Sequence, residues 1–161
     1  MSNILEQKNK KVPFLIRFIA TGFFSGYSRI APGTAGSLAA LAFYAIPGFE
    51  NYLPVAILTS FFPGVFTANR MEQHFGKDPS VVVIDEIAGM WISLLFIPKS
   101  IALSVIAFFF FRVYDIFKPP PARQVEAVGN GWGVMLDDVA AGIYANISVR
   151  LILFIFPALS R

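Results

Sequence analysis

The chain has 161 residues, 56% of them apolar and only 14% charged, and its mean hydropathy is +0.65. A soluble domain is nearer ~25% charged, so length and composition predict one membrane-embedded domain spanning residues 1–161. The lack of cysteine excludes disulfides, thiolate metal sites and cysteine nucleophiles, and the single histidine, His74, excludes mechanisms that need two.

Met1 to Lys11 is polar and then basic. No cleavable signal is expected after Val12, because the apolar run passes into Gly- and Ser-rich sequence without a clean cleavage site. Phe14 to Phe24 is apolar but short and carries Arg17, which predicts an interfacial or partly buried helix. Gly22 to Leu38 is rich in small residues that let backbone approach a ligand closely. Thr34 or Ser37 is the expected N-cap of the helix that follows. An ordinary turn explains the glycines equally well, and no Walker-type ending is present.

Five apolar segments follow. The first runs from Ala35, or from nearer Ile30, to Ile46 and stops at Pro47-Gly48. The second, Tyr52 to Asn69, is uncharged, with a kink expected at Pro63-Gly64. His74 and Asp78-Pro79-Ser80 read as loop and turn. The third, Val81 to Ile97, carries Asp85 and Glu86 near its start. Pro98-Lys99-Ser100 is a tight turn, so the third and fourth segments should form an antiparallel hairpin. The fourth, Ile101 to Phe117, carries Arg112 and Asp115 near its end. Gly129-Asn130-Gly131-Trp132-Gly133 is a lid, an anion cradle or a plain loop. The fifth, Leu136 to Phe156, opens on Asp137 and Asp138 and contains Arg150, expected to snorkel or to pair. The fold class is therefore all-α: a polytopic helical bundle of about five apolar helices plus a short N-terminal interfacial helix.

Basic residues in the connections set the orientation. Lys8, Lys10, Lys11 and Arg17 precede the first segment. Arg70 and Lys77 lie in the loop after the second, and Lys118 and Arg123 in the loop after the fourth. The N-terminus and both loops are then cytoplasmic, which gathers Asp85, Glu86, Arg112, Asp115, Lys118, Asp137 and Asp138 at the cytoplasmic ends of their helices. Adjacent carboxylates in apolar surroundings repel each other and lose hydration. Mg²⁺, a hard cation that takes oxygen ligands and substrate phosphate, would hold them. The simpler reading is helix capping, which leaves Asp115, at a C-terminal end, unexplained. Arg112, Asp115 and Lys118, at i, i+3 and i+6, read either as a salt-bridged helix end or as a phosphate clamp.

Taken in order, these stretches resemble the phosphatidylglycerophosphatase A family of bacterial membrane lipid phosphatases. The likeness rests on Gly26-Tyr27-Ser28 with Ala31-Pro32-Gly33-Thr34 and Gly36-Ser37-Leu38. It continues in Asp78-Pro79, Val83-Ile84-Asp85-Glu86 and Gly89-Met90-Trp91. Phe111-Arg112, Asp115-Ile116, Lys118-Pro119, Pro121 and Arg123 follow. Gly131, Gly133, Met135 and Asp137-Asp138 with Ala141-Gly142 complete it. The resemblance implies an all-helical enzyme of the bacterial cytoplasmic membrane, multi-pass, with its site facing the cytoplasm. The implied reaction is Mg²⁺-dependent hydrolysis of phosphatidylglycerophosphate to phosphatidylglycerol and phosphate. No nucleic acid and no obligatory protein partner are implied.

On that reading Asp85, Glu86, Asp137 and Asp138 hold one or two Mg²⁺ ions. Asp115, Asp137 and Asp138 are catalytic. Ser25, Ser28, Thr34, Ser37, Arg112, Lys118 and Arg123 contact substrate. Attack on phosphorus by water and an aspartyl-phosphate route both remain open. Arg29, Ala35 and Asn130 depart from the family pattern. The rival reading is a proton- or ion-coupled membrane transporter, which predicts charges distributed across the depth of the bundle.

Overall fold

The computed structural model describes residues 12–120 and 122–160. The basic residues Lys8, Lys10 and Lys11, and Pro121, lie outside them. Among the described residues there are seven α-helices and no strand: α1 (Phe14–Ala20), α2 (Pro32–Ala45), α3 (Leu53–Phe75), α4 (Ile84–Ser93), α5 (Ile101–Phe117), α6 (Ala122–Glu126) and α7 (Trp132–Ile155). The all-helical expectation is met. Pro32 begins α2, where a missing N–H is harmless. Pro63 lies within α3, which continues to Phe75 as one helix. Gly64 has a packing role there: a Cβ would lie 2.7 Å from Met135 Sδ.

The five longer helices run alternately between two ends. Lys99 Nζ, in the α4–α5 connection, donates to Ile46 O at 2.8 Å and to Glu50 Oε2 at 2.7 Å, so the α2–α3 and α4–α5 connections meet at one end. At the other end Gly131 N, at the start of α7, donates to Glu72 Oε2 near the end of α3 at 2.8 Å. The expected antiparallel pairing of α4 and α5 is present.

Helix α4 is the axis of the bundle. It packs against α2, α3, α5 and α7, and eight of its ten residues are buried. Glycines permit the tightest of these contacts: a Cβ on Gly142 of α7 would overlap Gly89 O of α4, and one on Gly89 would lie 2.7 Å from Asp138 O. Trp91 Nε1 donates to Ala40 O at 3.0 Å, satisfying a buried indole.

The turn that follows α4 is satisfied from α7. Asn146 Nδ2 donates to the carbonyls of Ile92, Ser93 and Leu95, Arg150 Nη2 donates to Leu95 O at 3.1 Å, and Arg150 Nε holds Asn146 Oδ1 at 2.7 Å. Arg150, the one basic residue deep in the fifth segment, therefore pairs with carbonyls left over at a helix end.

The exterior is apolar. Val55, Leu58, Phe62 and Phe66 form an exposed stripe on α3, and Ile143, Ile147, Leu151 and Phe154 form one on α7. The spacing is that of one helical face. Two helical stretches, Phe49–Phe75 and Trp132–Ile155, are long and apolar enough to cross a membrane. The expected set of about five such helices is not reached. Helix α2, with 14 residues, α4, with 10, and α5, with 17, are shorter than the ~20 residues a span needs. The helix of the third segment is shorter than its hydropathy predicts, because Val81–Val83 and Leu94–Ile97 are apolar but non-helical.

Candidate functional site

The site lies at the end of the bundle where α4 and α7 begin and α5 stops. Asp85 and Glu86 occupy the first turn of α4. Asp137 and Asp138 lie in the second turn of α7, because that helix starts at Trp132 and not at Leu136. They therefore do not open their helix, and capping does not account for them. Asp85, Asp137 and Asp138 are 7%, 6% and 2% exposed.

Asp85, Glu86 and Asp138 come together: each offers a carboxylate oxygen within 4.8 Å of the others. Asp85 Oδ1 and Glu86 Oε2 are buried without a hydrogen-bond partner. Asp138 also feels the negative charges of Asp115, Asp85 and Asp137. Orphaned buried acceptors are rare, because desolvation without compensation costs about 1–3 kcal/mol, and more for a charged group. Three converging carboxylates with two orphaned oxygens fit a hard divalent cation, which takes oxygen ligands.

Asp137, whose charge acts on Asp85 and Asp138, is paired with a lysine. Lys118 Nζ donates to Asp137 Oδ2 at 2.6 Å. The sequence spacing predicted Lys118 and Arg112 flanking Asp115 on one helical stripe. Lys118 is the residue that ends α5, in a left-handed conformation (φ 45°, ψ 62°), and it reaches across to α7. Arg112 Nη1 pairs with Asp115 Oδ2 at 2.8 Å, as the spacing predicts, and approaches Ser37 Oγ at 3.5 Å.

The small-residue stretch divides in two. Gly22, Gly26 and Gly36 pack against Val81, Val83 and Ile87, so their smallness serves close packing at the entry to α4. Gly33 alone faces the acidic centre: a Cβ there would overlap Glu86 Oε1 and lie 3.2 Å from both terminal nitrogens of Arg112. Sequence reasoning quoted Gly33 only as part of a motif, and its contact is visible only in three dimensions.

The other expected substrate contacts are placed less centrally. Ser37 is buried beside Arg112, but its hydroxyl donates to Gly33 O at 3.0 Å inside α2. Neither it nor Thr34 caps α2, whose N-cap is Ala31. Thr34 is half-buried in the first turn. Ser25 Oγ donates to Gly22 O at 2.8 Å, closing its own turn. Ser28 and Arg123 are exposed.

Gly129-Asn130-Gly131 docks on α3, where Gly131 N bonds Glu72 and a Cβ on Gly131 would overlap Val65 O. That is a packing role and not an anion cradle. Asn130 has φ 56°, a conformation that glycine adopts freely and asparagine tolerates, which accounts for its departure from the family pattern. Nothing in the structure explains Arg29 or Ala35. His74 Nδ1 donates to Arg70 O at 2.9 Å within α3, away from the carboxylates.

The family model for phosphatidylglycerophosphatase A matches residues 18–153. The chain belongs to the phosphatidylglycerophosphatase A family. It is 37% identical over 142 residues to the phosphatidylglycerophosphatase A of Escherichia coli K12, covering 85% of this chain and 81% of that one. It is 38% identical over 149 residues to that of Haemophilus influenzae, covering 87% and 91%. It is 42% identical over 152 residues to a protein of Bacteroides thetaiotaomicron named "Putative phosphatidylinositol-3-phosphatase", covering 88% and 96%. No solved structure matches the chain. Family membership makes the chain an enzyme, a lipid phosphatase, and with its two long apolar helices a membrane protein.

Proposed function

We propose that the chain hydrolyses phosphatidylglycerophosphate to phosphatidylglycerol and phosphate with Mg²⁺ held by Asp85, Glu86 and Asp138. The observation that carries this reading is the convergence of those three carboxylates, two with orphaned oxygens, beside Arg112 and Lys118. Asp85, Glu86, Asp115, Asp137 and Asp138 outnumber Arg112 and Lys118 by three charges. Such a group repels a phosphomonoester dianion unless cations reverse its sign.

A cation bound there would neutralise charge building on the phosphoryl oxygens. The chain's own residues do the rest. Arg112 presents a planar fork to two phosphate oxygens and Lys118 a point charge. Asp115 and Asp137 hold these two cations in place before substrate arrives. Asp115, between Arg112 and the trio, orients the attacking water and receives its proton. The water oxygen bonds to phosphorus, the bond from phosphorus to the glycerol oxygen breaks, and that oxygen leaves as the alcohol by taking up the proton that Asp115 received.

We read the chain as a single multi-pass membrane domain, a reading that the two long apolar helices support. Helices α3 and α7 cross the bilayer, with α2, α5 and the short α4 packed among them. The basic residues in the connections after α3 and α5 support a cytoplasmic position for the acidic end of the bundle. The transporter reading is not favoured, because the titratable groups collect at one end and do not line a path.

The test is phosphate release by the purified protein from phosphatidylglycerophosphate and from phosphatidylinositol 3-phosphate, before and after EDTA. Expected is release from phosphatidylglycerophosphate, loss on chelation and recovery with Mg²⁺. Exclusive use of the inositol lipid would reassign the substrate, and EDTA-resistant release would remove the cation.

A further inference from the structure

A second feature of the fold lies along α4. A cavity of about 280 Å³ lies between α1, α2, α3 and α4. Along α4 it is lined by Ile84, Ile87 and Trp91, the i, i+3 and i+7 positions of one face. Along α3 it is lined by Ala56, Thr59, Ser60 and Pro63. Its surface is almost wholly apolar: the Ser60 hydroxyl is turned back onto Ile57 O at 2.9 Å, and that of Thr59 onto Val55 O at 2.8 Å.

Two relationships say what fills it. Ile84, at one end, immediately precedes Asp85, so that end lies within one helical turn of the carboxylates along α4, and the cavity follows the helix for ~10 Å toward Trp91. On its other side, Ala56, Thr59 and Pro63 border the exposed stripe of Val55, Leu58, Phe62 and Phe66. The cavity is therefore open to the lipid-facing surface and closed by apolar side chains toward the core. A phosphomonoester on a membrane lipid brings its apolar chain along with its head group. We propose that this groove between α3 and α4 receives an acyl chain of the lipid substrate and so places the terminal phosphate at the acidic centre. The inference rests on the lipid phosphatase reading above and adds to it the subsite that holds the substrate's tail.

The groove gives specificity a physical origin. The head group alone reaches the carboxylates without using it, whereas a diacyl substrate gains apolar burial against Phe23, Thr59 and Pro63, the exposed walls of the groove. Filling the groove should therefore weaken use of the lipid and spare the head group.

The experiment compares Ala56→Phe and Thr59→Phe with the wild type on two substrates at fixed Mg²⁺. One is dioleoyl phosphatidylglycerophosphate in mixed micelles, and the other is its deacylated head-group phosphate. The expected result is a KM for the dioleoyl lipid raised about tenfold, with kcat/KM for the deacylated compound unchanged. Equal effects on both substrates, or none on either, would overturn the groove. No turnover of the dioleoyl lipid by the wild type would overturn the functional reading instead.

Occupancy is read without turnover by photolabelling with phosphatidylglycerophosphate that carries a diazirine in one acyl chain. Label is expected on Ala56, Thr59, Pro63, Ile84 and Ile87 and should be lost in Ala56→Phe. Label confined to Val55, Leu58, Phe62 and Phe66 would show lipid only on the outer surface and sink the proposal.

Discussion

Lys118, in the left-handed residue that ends α5, donates to Asp137 in the second turn of α7 at 2.6 Å. This bond ties two helices together across the mouth of the acidic centre. It also keeps a cation beside carboxylates that would otherwise repel an anionic substrate. Lys118→Asn separates the two roles, because asparagine tolerates the left-handed conformation and removes only the charge. The expected outcome is a kcat/KM lower by roughly 10², with a loss of stability below the ~3–5 kcal/mol of a fully buried broken pair, since the lysine side chain is 24% exposed. Phosphate release and thermal unfolding in detergent measure the two effects. Wild-type turnover would remove Lys118 from substrate binding.

Asp85, Glu86 and Asp138 make a prediction that does not depend on turnover. A cation that binds only the folded protein stabilises it by about 2.7 kcal/mol at a hundred times its dissociation constant. Mg²⁺ should therefore raise the unfolding temperature of the wild type. Asp85→Asn and Asp138→Asn should abolish that rise and the hydrolysis together. In the absence of Mg²⁺ both variants should unfold at or above the wild-type temperature, because each removes one of several mutually repelling charges. A full Mg²⁺ response in either variant would exclude that residue as a ligand.

Much of this arrangement is legible in the chain itself. Pro98 and Pro119 bracket the fourth segment, and α5 spans Ile101–Phe117 as the sequence predicts. The loop charges correctly collect the acidic pairs at one end of the bundle. Hydropathy fails where apolar residues are not helical: it cannot separate Val81–Val83 from α4, and so it hides how short and central that helix is. It also misses the start of α7, because Trp132 to Met135 follow a glycine-rich turn that reads as loop. The Lys118–Asp137 bond is illegible for another reason: helical spacing relates Lys118 to residues of its own helix and says nothing of α7. Gly33 looks like any turn glycine until α2 and α4 are brought together.

Gly142 and Gly89 set the distance between α7 and α4, and thereby the distance between Asp138 and Asp85. Alanine at an ordinary helical glycine would stabilise by about 0.8–1 kcal/mol. At Gly142 the added methyl would overlap Gly89 O and lie 3.0 Å from Ile92 Cβ. Overpacking of this kind typically costs about 1–3 kcal/mol, so Gly142→Ala should destabilise. Thermal unfolding gives the sign directly, and a stabilised variant would mean that the two helices are free to separate. Mg²⁺ affinity should fall as well, because the wedge lies one helical turn from Asp138.

Gly33 tests the centre from the side of α2. Its Cα faces Glu86 Oε1 with no room for a methyl, and both terminal nitrogens of Arg112 lie 3.2 Å from where a Cβ would sit. Glu86 and Arg112 are side chains, so they can swing away where backbone could not. Gly33→Ala should therefore leave the Mg²⁺-free unfolding temperature close to wild type, with helix propensity offsetting part of the crowding. The displaced pair should instead appear in function: a weaker Mg²⁺-induced rise in unfolding temperature, and a kcat/KM lower by roughly 10². Gly33→Ala with wild-type turnover and an unchanged Mg²⁺ response would show that Glu86 does not act from the position it holds beside Gly33.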